Sequence, residues 1–211
     1  MPKDYCGIDD VKSALGITGT QDDQFISAAI SAASRNIDHH CGRQFYQGDA
    51  AEARVYIPDD LLEVQVDDFD QTQSGVILQT DPAGDRTWST TLTSDQYQLI
   101  PLNGIQDGEA WPCTKIQLIK AAFFPLYGGA ALSLRRFQAL IKVTAVYGWP
   151  YVPNSVYLAT IAEASSIFQG MKNPLGATAF NEAGIVRSKP ELHPTAQKLL
   201  EKYCERLVYV Q

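Results

Sequence analysis

The chain has 211 residues, 45% of them apolar, which suits one mid-sized domain or one domain carrying an insertion. Its net charge of −7 argues against a general nucleic-acid binder, which needs basic surface to displace counterions. No apolar run approaches the roughly 18 residues of a membrane span, and no charged-then-apolar leader precedes Cys6. The four cysteines (Cys6, Cys41, Cys113, Cys204) form no CxxC pair, so the expectation is a soluble cytoplasmic protein with reduced thiols and no membrane partner. Charge is unevenly spread. Residues 1–110 carry 19 acids and 6 bases, residues 111–211 carry 5 acids and 11 bases. Such a split either sets opposite faces of neighbouring subunits together or is uneven solvated surface.

In chain order, "IDDVKSALG" (8–16) predicts a short helix with acids in its first turn and Gly16 as its stop. Thr20 with Asp23 predicts a capping box for a longer helix. Phe25, Ile26, Ala29, Ile30, Ala33 and Ile37 recur there at helical spacing, and Gly42 suits the C-cap. From about Arg54 to Tyr147 the period changes. "RVYIP", "LLEVQVDDF", "GVILQT", "QYQLIPL", "KIQLIKA" and "ALIKVTAVYGW" are short runs separated by turn signals, among them Gly75, Asn103-Gly104 and Gly128-Gly129. They predict an antiparallel sheet or small barrel.

The stretch "KVTAVYGWPYVPNSV" (142–156) reads as a junction. Gly148 lets the backbone turn, Pro150 and Pro153 forbid early helix, and Asn154 caps the next helix, with Trp149 burying the corner between two modules. "SVYLATIAEASSIFQG" then reads as a helix, 171–193 as an extended loop without sustained period, and "PTAQKLLEKYCERLVYV" as a final helix. In that helix Pro194 sits at N1 and Leu199, Leu200, Tyr203 and Leu207 form a stripe. The fold class expected is α+β: a bundle of about four N- and C-terminal helices with a central antiparallel β-sheet or barrel insertion. The divisions are 1–52, 53–149 and 150–211.

Chemistry is sparse. There is no GxSxG, Walker loop, GxGxxG or HExxH. His39-His40-Cys41 are consecutive on a helix and point about 100° apart, so they do not converge on one ion. "DDFDQTQSG" offers Asp68, Asp70, Thr72 and Ser74 at calcium-loop positions but has Gln73 where glycine is needed and Gln79 where a bidentate Glu is needed. The pairs Asp59-Asp60 and Asp67-Asp68 flank turns and read as solvated carboxylates rather than an acid–base dyad. Trp88, Trp111 and Trp149 leave open a carbohydrate-stacking β module. No enzyme activity, metal or cofactor is expected.

Residues 9–46, "DDVKSALGITGTQDDQFISAAISAASRNIDHHCGRQFY", resemble the N-terminal signature of head–tail connector proteins (neck adaptors) of tailed bacteriophages and gene transfer agents. The shared pattern is Leu15-Gly16-Ile17, Asp22-Asp23 and Cys41-Gly42-Arg43-Gln44-Phe45. Val143-Thr144-Ala145-Val146-Tyr147-Gly148-Trp149 followed by Val152-Pro153-Asn154 is a second match, and Asn173-Pro174-Leu175-Gly176 a third. Ile8 stands where that pattern has a Thr or Ser cap, so the first helix is expected to be capped differently. The resemblance implies a structural virion protein assembled in host cytoplasm and located at the neck. It would form a dodecameric ring under the portal, extend the channel for packaged double-stranded DNA, and dock the tail or stopper. A tail-completion or stopper protein is the alternative. For subunit contacts the expected residues are the exposed side of the Phe25–Ile37 helix, Arg35, Arg43, and Arg135-Arg136 meeting the acids Asp59, Asp60, Asp67 and Asp68. For portal docking they are Asn173, Pro174, Leu175, Phe180, Ile185, Arg187, Leu199, Tyr203 and Leu207.

Overall fold

A computed structural model describes residues 3–58, 62–81, 86–106, 108–119, 141–172, 177–181, 184–187 and 192–204. The chain divides into two compact units, Met1–Tyr46 with Tyr151–Gln211, and Gln47–Pro150.

The first unit is helical. Helix α1 (Ile8–Leu15) starts at Gly7, whose N–H donates to the Asp10 carboxylate at 2.8 Å, and ends at Gly16 in the left-handed region, φ 69°. Ile8 is therefore the first helical residue and no hydroxyl cap is needed. Helix α2 (Asp23–Cys41) has Asp22, not Thr20, at its N-cap. The expected Thr20–Asp23 box does not form because the turn closes later: the Thr20 carbonyl accepts the Asp23 N–H at 3.3 Å. Gly42 ends α2 at φ 66°. Ile26, Ala29, Ile30 and Ala33 of α2 pack with Val11, Ala164 and Phe168 in one core. Ala29 and Ala33 have no exposed surface, so the backbones facing them approach closely. Phe25, the first residue of the expected stripe, is 57% exposed: with Ile26 on the core, its neighbour lies about 100° away.

Helix α3 (Asn154–Lys172) follows Pro153, whose carbonyl accepts the Tyr157 N–H at 3.0 Å. Asn154 is thus the first helical residue. Helix α4 (Pro194–Leu200) has Pro194 at N1 and the His193 ring accepting the Thr195 N–H. It is shorter than the expected 194–207 stripe. After Leu200 the chain turns, with the Tyr203 N–H on the Leu200 carbonyl at 2.8 Å, and Leu207 lies outside the described residues. The extended loop expected at 171–193 also needs correction. α3 continues through Lys172, and two short strands pair antiparallel with Phe180 opposite Ile185. Strands this brief carry too few alternations for the period to be read.

Among the described residues the second unit is built of β-strands, with one 3₁₀ turn at Leu102–Gly104. Its strands are β1 (Glu52–Tyr56), β2 (Glu63–Phe69), β3 (Ile77–Thr80), β4 (Thr90–Leu92), β5 (Tyr97–Ile100), β6 (Ile105–Gln106), β7 (Glu109–Ala110), β8 (Cys113–Leu118) and β9 (Ile141–Ala145). The hairpin in the helical unit supplies β10 (Ala177–Asn181) and β11 (Gly184–Arg187). Two antiparallel sheets dominate, ordered β1-β9-β3-β4 and β2-β8-β5, with β6-β7 a separate two-residue ladder. A single bridge, Phe69 to Tyr147, connects strand ends, so the described strands form an open pair of sheets and not a closed barrel. Alternation on β8 and β9 turns Ile116, Leu118, Ile141 and Val143 inward, where they meet Val64, Phe69 and Leu78. The fold class is α+β, with four α-helices and antiparallel sheets among the described residues.

Candidate functional site

The junction holds a buried polar cluster of the β unit. On β2 the inward positions are Val64, Val66 and, two further on, Asp68. The register slips between Gln65 and Phe69, so Phe69 is buried as well. Asp68 is only 7% exposed and accepts the Trp149 indole N–H at 2.7 Å, while its backbone carbonyl takes the Gly148 N–H at 2.6 Å. Gly148 sits at φ 98°, a conformation that side-chain-bearing residues rarely adopt. The Trp149 ring, 1% exposed, meets Trp111 edge-on with centroids 4.9 Å apart. Pro150, just beyond, is exposed. Asp68 is therefore a buried structural acceptor and not an interface carboxylate. Trp111 and Trp149 have no open face for a sugar, and Trp88 lies under the Lys142 ammonium at 5.3 Å.

The other expected contact residues divide. Arg35 is engaged within its own chain: it pairs with Asp38 at 3.0 Å, donates to the Lys3 carbonyl at 2.9 Å, and covers the Tyr5 and Tyr46 rings. Arg43 is half-buried. Asp67 is exposed and already holds Arg54 at 2.9 Å and the Tyr56 hydroxyl at 2.9 Å. Asp59, Asp60, Arg135 and Arg136 lie outside the described residues, as do Asn173, Pro174 and Leu175. Phe180, Ile185 and Arg187 fall on the β10–β11 hairpin. Leu199 is half-buried. Tyr203, expected at a docking surface, is 1% exposed and packs edge-on to Phe45 at 5.6 Å, so it belongs to the core of the helical unit.

Phe45 organises that core. Turning at Gly42 sends it inward between Tyr203 and Tyr5, and its N–H donates to the Tyr5 hydroxyl at 2.9 Å. Tyr5 in turn donates to Asp38. Burial, then this contact with Asp38, pushes the Tyr5 phenol above its ordinary range. Burial likewise raises the Asp38 carboxyl.

Beside this core a groove of about 780 Å³ is lined by Asn36, His39, His40, Glu163, Leu192 and Gln197 among others. The Glu163 carboxylate holds the elements together there: it accepts the His193 N–H at 2.8 Å and the Asn36 amide at 3.3 Å. Among the described residues no group of three His, Cys, Asp or Glu could hold a metal ion. In the calcium-like stretch, Asp70 instead accepts the Thr72 N–H and hydroxyl, both at 2.8 Å, closing a turn.

Sequence reasoning missed the exposed aliphatics of the four-stranded sheet. Val55 lies opposite Lys142 and Ile77 opposite Thr144, which puts all four on one face, with Val55 54% and Ile77 44% exposed.

The helical unit is closed by two distant stretches of chain, and the residues between these in sequence form the open two-sheet β unit. Residues 6–79 match the family described as phage gp6-like head-tail connector protein. The resemblance seen in the Leu-Gly-Ile, Asp-Asp and Cys-Gly-Arg-x-Phe elements is thus shown for that segment. The fold is similar to that of a chain from the neck of an empty GTA particle computed with C6 symmetry. At 11% identity the TM-score is 0.54, over 98% of this chain and 93% of that one. No curated protein matches the sequence.

Proposed function

We propose that this chain is a structural protein of the virion neck, a head–tail connector and not an enzyme. It assembles as a homo-oligomeric ring, a dodecamer, beneath the portal, lengthens the passage for packaged double-stranded DNA, and offers the tail or stopper a docking surface. One coincidence carries the reading. The family match falls on residues 6–79, and a fold likeness spanning nearly the whole chain leads independently to a particle neck.

The physics of the chain supports it. An acidic excess repels the duplex from the wall of a conduit, so DNA slides without sequence-specific binding. The bipolar charge distribution suits a ring in which one face of a subunit meets a different face of the next. With Arg35 occupied internally and Asp68 buried, the candidates for subunit pairing are Asp67, Asp59 and Asp60 against Arg135 and Arg136 of a neighbour. The β10–β11 hairpin, with Phe180, Ile185 and Arg187, is the candidate for portal docking.

The test is removal of the gene from the phage or gene-transfer particle that encodes it, followed by electron microscopy of the lysate. The expected result is separate heads and finished tails, with joining restored by the purified chain. Normally joined particles would overturn the proposal.

A further inference from the structure

Two of the four cysteines meet although 163 positions separate them. Cys41 is the last residue of α2, and Cys204 lies in the turn after α4. Their Sγ atoms are 3.5 Å apart, Cys41 buried and Cys204 half-exposed. An S–S bond is about 2.05 Å long, so closure needs a movement of about 1.5 Å. What holds Cys204 in its present rotamer is weak: its thiol contacts the Leu200 carbonyl at 3.4 Å. Rotation about its side chain breaks nothing stronger. Cys6 and Cys113 are differently placed, on the segment before α1 and at the start of β8. Burial raises both of those thiols, as burial and the Cys204 contact raise Cys41, so the pair is set apart by the closeness of its two sulfurs and not by acidity.

We propose that Cys41 and Cys204 are a redox pair, closed by oxidation into an intrachain disulfide that ties the end of α2 to the segment after α4. The oxidant is a small disulfide such as oxidised glutathione. Cys204, the more accessible thiol, attacks it as thiolate, forming a mixed disulfide and releasing one glutathione thiol. Cys41 then loses its proton and attacks the Cys204 sulfur. The Cys41–Cys204 bond forms, the mixed bond breaks, and the second glutathione leaves as thiolate and takes up a proton. Two protein thiols are oxidised and one glutathione disulfide is reduced. The bond stays open in a reducing cytosol and closes in an oxidising medium. Because it encloses the whole β unit, α3 and α4, it restricts the unfolded chain strongly. Nothing in this inference depends on the connector reading.

The experiment uses the full-length chain. Reduced protein is incubated with oxidised glutathione, alkylated in denaturant and digested without reductant. The expected product is a Cys41–Cys204 cross-linked peptide, with Cys6 and Cys113 alkylated and no interchain dimer. The accompanying rise in Tm is about 5–15 °C, reversed by dithiothreitol. Cys204→Ser, at the half-exposed position, abolishes both the peptide and the shift, whereas the Cys6→Ala and Cys113→Ala variants keep both. Glutathione retained on Cys204, a bridge to a second chain, or full alkylation of Cys41 and Cys204 after oxidation would each overturn the pairing. A bridge that leaves Tm unchanged would overturn the tie.

Discussion

The two units are stabilised in different ways. The helical unit is closed by contacts between stretches far apart in the chain: Asn36 with Glu163, Asp22 with Lys172, Phe45 with Tyr203. Its interior is an alanine-rich seam and an aromatic cluster. The β unit is one continuous stretch whose strands pair edge to edge, and its end is pinned to Asp68 by the Trp149 indole N–H and the Gly148 N–H. Distant closure means that damage at either flank of the helical unit loosens the whole of it. In the β unit, damage concentrates at the junction.

Removing the junction is the largest expected effect. Trp149→Ala deletes a buried indole and leaves the Asp68 carboxylate without that donor, at a cost of about 4–5 kcal/mol in chemical denaturation. Trp149→Phe, which keeps a ring and loses the donor, costs about 1–3 kcal/mol. A Trp149→Phe variant as stable as the parent would mean that the bond to Asp68 contributes nothing.

The helical counterpart is Phe45→Ala. It opens the space between Tyr5 and Tyr203 and costs about 3–4 kcal/mol. Hydrogen exchange should show amides of α2 and α4 losing protection while those of β8 and β9 keep theirs. Uniform loss across both units would contradict the division drawn here. A smaller cost, about 1 kcal/mol, attaches to Asp10→Ala, which removes the acceptor for the Gly7 N–H at the start of α1.

The smallest effect, seen only in alkali, belongs to Tyr147. Burial holds its phenol at about 12 in the folded state, against about 10 in an unfolded chain. The folded state keeps a proton that the unfolded chain gives up. This contribution is therefore whole below pH of about 10 and is lost as pH rises toward about 12. Denaturation midpoints followed from pH 8 upward should fall, and Tyr147→Phe should make the fall shallower. A slope unchanged by the substitution would remove Tyr147 from the account.

How much of this was readable depended on the length of each pattern. The α2 stripe, the glycine stops at Gly16 and Gly42 and the alternation in β8 and β9 are each long enough, or specific enough, to be seen in sequence. The β4 and β10–β11 strands are not, since three to five residues hold hardly two alternations. Asp68 was legible in principle. Counting inward from Val64 and Val66 by twos reaches it, and an inward carboxylate needs a donor, which Trp149 supplies. Reading it as half of a turn-flanking acidic pair hid that. Tyr203 was misplaced for a related reason: its helical spacing from Leu199 suggested a surface stripe, but the helix ends at Leu200 and the chain folds Tyr203 onto Phe45. The exit motif after α2 was legible as a family mark, and only the packing of Phe45 shows why that order of residues is needed there.

The most direct test of the central claim is electron microscopy of the purified chain alone and mixed with the portal ring of the same particle. The account predicts closed rings of the chain, twelvefold, coaxial with the portal and bound to one of its ends. A chain that stays monomeric and leaves the portal bare in every condition would contradict it.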